Sequence, residues 1–308
     1  WSNSDIGGGL KAGDKYLNDG TLYVAIFNED GSGEWKALIH GQNGLDTSNS
    51  ELPFSGQDEV LIFARAAADV VGATKMDRPE WVSVSPMTGE VYVTLTNNTN
   101  RGVKDDQPLS ASNPRSYNVD GKLRGNENGH IIRWAEAGGD HTAMSFEWDI
   151  YLFATPYDLA AENLSQLNDS NDLSSPDGLY FDPRGVLWIQ TDDGAYTDTT
   201  SCMLLAALPG KVSDGTAITT SAGQQTRVGM PASNDNIKRF FVGPEGCEVT
   251  GITMTPDFKT LFINIQHPGN SWGAIAGGTI PRSATVMITR DDGDVILAES
   301  FDTAENVA

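Results

Sequence analysis

Three stretches of this chain share one pattern, and that pattern leaves few folds open. Residues 80–98 read EWVSVSPMTGEVYVTLTNN, residues 177–194 read DGLYFDPRGVLWIQTDDG, and residues 248–269 read EVTGITMTPDFKTLFINIQHPG. Each is an alternating strand, a turn led by Pro86, Pro183 or Pro256, and a second alternating strand with Tyr92, Trp188 or Phe262 near its start. Proline presets φ at the first central position of a turn, so each stretch predicts a β-hairpin. A looser relative, LYVAIFNEDGSGEWKALIH, covers residues 22–40. Repeated hairpins with variable connections predict an all-β fold, a β-propeller whose innermost hairpins line a central channel, with a few inserted helices. A β-sandwich fits the alternation equally well. It accounts less readily for the same hairpin carrying the same chemistry at its open end.

Outside the hairpins, the apolar residues Val60, Ala64, Ala67, Ala68 and Val71 recur at helical spacing and predict a helix over residues 58–71, stopped by Gly72. Residues 11–17 and 158–167 predict shorter helices. Residues 97–128 and 214–235, rich in Ser, Asn, Gly and Asp, read as long surface loops. The 33 glycines and the 20% of charged residues suit a fold with many turns.

In a hairpin the start of the first strand lies beside the end of the second. The first hairpin opens with Arg78-Pro79-Glu80 and closes at Asn97-Asn98. The second opens with Ser175-Pro176-Asp177 and closes at Asp192-Asp193. The third opens with Cys247-Glu248 and closes at His267. In adjacent blades, each would bring a carboxylate and a second polar group to one mouth of the channel. Carboxylates gathered there repel one another unless protonated or bridged by cations. We therefore expect Glu80, Asp177 and Glu248 as metal ligands, with Asn97, Asp193 and His267 as second ligands. Oxygen donors suit calcium, and one His among carboxylates admits iron or manganese. Taken singly, each acid reads as an ordinary solvated residue at a strand start; their equivalent placement is what favours metal.

Arg78 stands two residues before Glu80 across a rigid proline. A guanidinium beside a metal-bound carboxylate suits a phosphoryl group, and a structural Arg78–Glu80 ion pair is an equal reading. His130, at the head of an alternating strand, is a candidate for contact with substrate in the channel; a hydrogen-bonded structural role is the alternative. His141 reads as a loop residue, and Thr250 as a cap for the Glu248 strand. No GxSxG, P-loop or HExxH pattern occurs.

Composition narrows the partners. Lys+Arg 20 against Asp+Glu 42 gives a net charge of −22, which argues against nucleic acid or an anionic membrane surface. No apolar run is long enough to span a bilayer. Cys202 and Cys247 make neither a disulfide framework nor a zinc spacing. No basic n-region with an apolar core stands at the N-terminus; Trp1 reads as the boundary of a cleaved or expressed piece, with any signal sequence upstream of it.

The segments MDRPEW (76–81), NGHIIRW (128–134), SPDGLYFD (175–182), GPEGCEVTG (243–251) and FINIQHPG (262–269) resemble blocks of the PhoX-type alkaline phosphatases. The resemblance implies a six-bladed propeller with calcium and iron (Ca2+ and Fe3+) linked by an oxo group. It implies hydrolysis of phosphate monoesters, with a periplasmic or secreted location after Tat export. Glu80 resembles the metal-binding Glu of the family's Arg-Pro-Glu motif, Arg78 its phosphoryl-contacting arginine, Asp177 a calcium ligand, and Glu248 a further ligand. The family's N-terminal half carries an iron-binding Cys and another ligand Glu, and neither Cys202 nor Cys247 lies in a block like that one. Residues 1–308 are thus expected to be the C-terminal portion of the propeller, with further blades upstream of residue 1 and a fragment inactive alone. A calcium-dependent propeller lactonase or phosphotriesterase, or a non-catalytic calcium-binding propeller, are the competing readings.

Overall fold

The computed structural model describes residues 18–192, 200–269, 272–274 and 278–297. The chain divides into two compact units, residues 1–75 with 136–147, and residues 76–135 with 148–308.

The first unit holds the looser hairpin, β1 (Tyr23–Phe27) and β2 (Ser32–Ala37), paired in regular antiparallel register. The expected helix is two short ones, α1 (Gln57–Ile62) and α2 (Ala64–Val70), separated by a kink at Phe63, where ψ is 38°. Hydrogen bonds run across the kink from the Phe63 N–H to Glu59 and from the Ala67 N–H to Phe63, so the apolar spacing survives. Val60, Ala67 and Val71 pack with Leu38, Leu45 and Phe54 into this unit's core. Gly72 ends the helix at φ 78°, and the Ala73 N–H reaches back to the Ala68 carbonyl.

The second unit contains the three repeated hairpins. β3 (Pro79–Val84) pairs with β4 (Val91–Leu95). Within residues 97–128 there is a small hairpin, β5 (Tyr117–Val119) and β6 (Lys122–Arg124). β7 (His130–Glu136) adds beside β4, and the long strand β8 (Ser145–Phe153) follows. The second hairpin is β9 (Pro176–Phe181) with β10 (Leu187–Thr191), extended outward by β11 (Met203–Ala207) and, later in the chain, β14 (Ile237–Val242). A hairpin of β12 (Thr216–Thr219) and β13 (Gln225–Val228) lies in the connection. The third hairpin is β15 (Glu248–Met254) with β16 (Thr260–Gln266), extended by β17 (Ala284–Thr289).

Three of the sheets therefore have a repeated hairpin at one edge, and β9 neighbours both β3 and β15 across the sheets. This arrangement of first strands is the propeller-like one, not the face-to-face pairing of a sandwich. Burial explains it. On β10, Leu187 and Ile189 pack with Tyr92, Ile131 and Tyr151 on one side. Trp188 faces the other side, among Val249, Ile263 and Ile265. A sheet apolar on both faces must be covered on both, and stacked blades do that. Tyr92 marks the seam between the first two sheets, with edge-on contacts to Tyr151 at 5.5 Å and Phe181 at 5.1 Å.

Two expectations are corrected. Residues 158–167 form turns, not a helix: the Asn163 side chain bonds the Tyr157 and Leu167 carbonyls and the Leu167 N–H, competing with helical pairing. Residues 97–128 and 214–235 are not simply surface loops. Both carry hairpins, and Arg101, Ser112, Asn113, Arg115, Asn126 and Thr226 are buried. Their polar groups satisfy one another inside the protein, so polar composition alone misplaced them. The helix expected at residues 11–17 lies outside the described residues.

Candidate metal centre

Each inner strand carries one residue more than its partner. Pro79 and Val82 face Leu95 and Val93; Pro176 and Leu179 face Thr191 and Ile189; Thr250 and Thr253 face Asn264 and Phe262. These are one-residue bulges, which bend a strand and re-aim its side chains. In the first two sheets the bulge falls on the acid itself, at Glu80-Trp81 and Asp177-Gly178. Thr94 secures the first: its hydroxyl accepts from the Trp81 N–H at 3.0 Å and donates to the Asp177 carbonyl of the next sheet at 2.7 Å. In the second, Gly178 has no Cβ because one would lie 2.4 Å from the Gln190 carboxamide oxygen.

Ahead of the bulges, Arg78 and Ser175 adopt φ of 50° and 51°. The Arg78 carbonyl accepts from the Thr96 N–H at 3.1 Å, and the Ser175 carbonyl from the Asp192 N–H at 3.0 Å. The strain of the left-handed step is held by these closing bonds. Arg78 still comes to Glu80, Nη2 to Oε1 at 3.8 Å, and its Nη1 donates to Asn97 Oδ1 at 3.1 Å.

Electrostatics show how closely the acids gather. The Asp177 carboxyl is pushed up to about 7, by burial first and then by the charges of Glu80, Glu248 and Asp192, against the pull of Arg78. Burial and Asp192 also raise Glu248, opposed by His267 and a hydrogen bond from Thr250. Asp192, Glu248 and His267 bring one ligand atom each within 4.8 Å of one another. The His267 Nδ1 lies 3.3 Å from the Gly246 carbonyl, to which it donates; its Nε2 faces Glu248 Oε2 at 3.5 Å. A ring held in that tautomer presents a lone pair to a carboxylate, an arrangement that a cation or proton must bridge. Two carboxylates and an imidazole, with Asp177 and Glu80 adjacent, fit hard cations of the calcium and iron type.

Glu80, Asp177, Glu248 and His267 thus come together with Arg78 and Asn97. Asp193 lies outside the described residues; its neighbour Asp192, the first residue past β10, stands with Glu248 and His267. His130 is corrected. It is fully buried, Nδ1 on the Asn126 amide at 2.9 Å and Nε2 on the Ser112 carbonyl at 2.8 Å, so no ring nitrogen is open to substrate. Desolvation pushes its pKa down to about 4. The parallel openings Arg78-Pro79-Glu80 and Ser175-Pro176-Asp177 align Ser175 with Arg78, but did not mark Ser175 as a residue of the site. The shared Pro-acid tail of the two segments was the available signal. Cys247 is buried near Cys202, its thiol pushed up to about 12 by burial and that neighbour, which leaves it a core residue.

The family model described as alkaline phosphatase PhoX matches residues 2–269. Among curated proteins, none matches. A solved structure, Pseudomonas fluorescens PhoX in complex with vanadate, a transition state analogue, is similar with 40% sequence identity and a TM-score of 0.77. The likeness covers 96% of this chain and 49% of that one, so the chain spans about half the length of that neighbour. By the extent of the family match and this identity, the chain belongs to the PhoX alkaline phosphatase family.

Proposed function

We propose that this chain supplies part of a metal-dependent site that hydrolyses phosphate monoesters. The observation that carries the reading is the convergence of Arg78 with Glu80, Asp177, Asp192, Glu248 and His267 at the neighbouring ends of β3, β9 and β15. The similar PhoX structure holding vanadate supports it.

Glu80, Asp177, Asp192 and Glu248 would hold calcium through their oxygens, with His267 suiting iron. The chemistry these ions supply, when bound, is Lewis-acid polarisation of phosphoryl oxygens. Arg78 offers two parallel N–H donors to the oxygens of the transferring phosphoryl group, where negative charge develops. Glu80 draws the guanidinium toward the acids, and Asn97 holds its other edge. Without cations, Asp177 carries the proton that lowers repulsion among the carboxylates. The remaining ligands would come from residues outside this chain, in keeping with the half-length coverage of the neighbour.

The experiment is hydrolysis of p-nitrophenyl phosphate by the full-length protein, before and after chelation, with elemental analysis. Activity lost on chelation and restored by calcium and iron together supports the reading. Activity on a lactone or phosphotriester alone would replace it with one of those hydrolases. Calcium without iron, and no ester hydrolysed, would leave a binding propeller.

A further inference from the structure

We propose that Asn97 is a positioning residue for the Arg78 guanidinium and acts through that arginine, not as a metal ligand. The inference rests on the phosphoryl role given to Arg78 above. The Arg78 side chain is 55% exposed, and its carboxylate neighbour Glu80 stands at 3.8 Å, too far for a hydrogen bond. An exposed arginine with nothing to hold it samples many rotamers, and ordering it on substrate costs affinity. Asn97 supplies the hold. A guanidinium only donates, so the carboxamide atom 3.1 Å from Nη1 must be the oxygen.

That bond orients the rest of the group. Asn97 Nδ2 donates to Ser175 Oγ at 3.3 Å, and Ser175 Oγ lies 3.4 Å from Ser174 Oγ. Ser174 Oγ donates to Asn128 Oδ1 at 2.8 Å, and Asn128 Nδ2 donates to the Tyr117 hydroxyl at 3.0 Å. Ser174, Ser175, Asn128 and Tyr117 are all buried, so the line from the arginine ends on a packed base. A chain of this kind fixes the guanidinium before substrate arrives. The same oxygen is already engaged as the acceptor of the guanidinium N–H.

The test uses the full-length, metal-loaded protein with Asn97→Ala and Ser175→Ala, each alone and combined with Arg78→Ala. Affinity for inorganic phosphate is read by calorimetry, metal per chain by elemental analysis, and kcat and KM with p-nitrophenyl phosphate. Asn97→Ala should weaken phosphate binding about tenfold, as for one lost hydrogen bond to a charged group. It should leave metal content unchanged and add little in the Arg78→Ala background. Ser175→Ala should follow the same pattern with a smaller effect. Loss of calcium or iron in Asn97→Ala, or an equal loss of affinity on top of Arg78→Ala, would overturn the proposal. Asn97→Ser, too short to bridge Arg78 and Ser175, serves if the alanine variant folds poorly. Phosphate bound through Arg78 without turnover would sink the catalytic reading and leave this one standing. Phosphate affinity unmoved by Arg78→Ala would remove the basis of both.

Discussion

Arg78 and Ser175 stand at the same place in neighbouring sheets, one residue before a proline, with φ of 50° and 51° and each carbonyl tied to the exit of its own hairpin. The repeat thus presents a cation at one position and a hydroxyl at the equivalent one, with Asn97 bonded to both. The backbone that sets Arg78 is anchored beneath by Asp77, fully buried and bonded to Asn98, Arg101 and Asn126.

Replacing Arg78 by Lys keeps the charge but loses the fork. In the full-length protein it should lower kcat/KM for p-nitrophenyl phosphate by about tenfold to a hundredfold, and Arg78→Ala by about 10²–10³. Steady-state kinetics beside an unchanged melting curve make the test. Full activity in Arg78→Ala would remove its assigned role.

Metal removal should make stability depend on pH with a definite sign. Asp177 is raised from 3.8 to about 7 in the folded chain, so the folded state binds its proton more tightly than the unfolded one. That contribution is fully present below 3.8 and is lost as pH rises through about 7. Melting temperature in chelator should fall across that window, Asp177→Asn should flatten the fall, and calcium should reverse it. A fall unchanged in Asp177→Asn would assign the effect elsewhere.

His130 acts in the opposite direction. Its pKa drops from 6.5 to about 4 on burial, so its contribution is full above 6.5 and is lost as pH falls toward 4. The loss amounts to about 3 kcal/mol for a group with no access to solvent. Urea unfolding of wild type and His130→Gln, compared across this range, should show the acid sensitivity reduced in the variant. Parallel curves would refute the attribution.

Gln190 is fully buried, and among the described residues neither of its carboxamide atoms has a hydrogen-bond partner. Exchange for Met, similar in length and apolar, should raise stability by about 1–3 kcal/mol, the cost of leaving such a group unpaired. Denaturant midpoints of the two proteins decide it; a lower midpoint in Gln190→Met would mean that the carboxamide is satisfied.

The sequence made the hairpins legible because strand alternation and a proline-led turn are local signals, and the four predicted hairpins are formed. It also identified the acids at the open ends. The bulges were not legible: Glu80-Trp81 and Asp177-Gly178 carry no common residue that marks an extra position. Nor was the fate of residues 97–128, whose Asn, Ser and Arg content resembles a solvated loop until the partners are known. Arg115, bonded to Asn126 and to the Gly129 carbonyl, needs the fold to show that it is an interior residue. His130 failed for the same reason.

The three hairpins also differ in where they permit a change of length. At the tips, the closing bond runs from Asp182 to Val186 in one, but from Ser85 to Glu90 and from Thr255 to Thr260 in the others, one residue longer. The extra residue of the inner strand is present in all three, beside the acid in the first two and at Gly251-Ile252 in the third. Side chains alternate with a period of two, so deleting one residue beside Glu80 or Asp177 would turn the acid to the opposite face of its strand. Insertions and deletions should therefore accumulate at the tips of these hairpins and be purged from their open ends, where the parity of the residue count decides which way a carboxylate points.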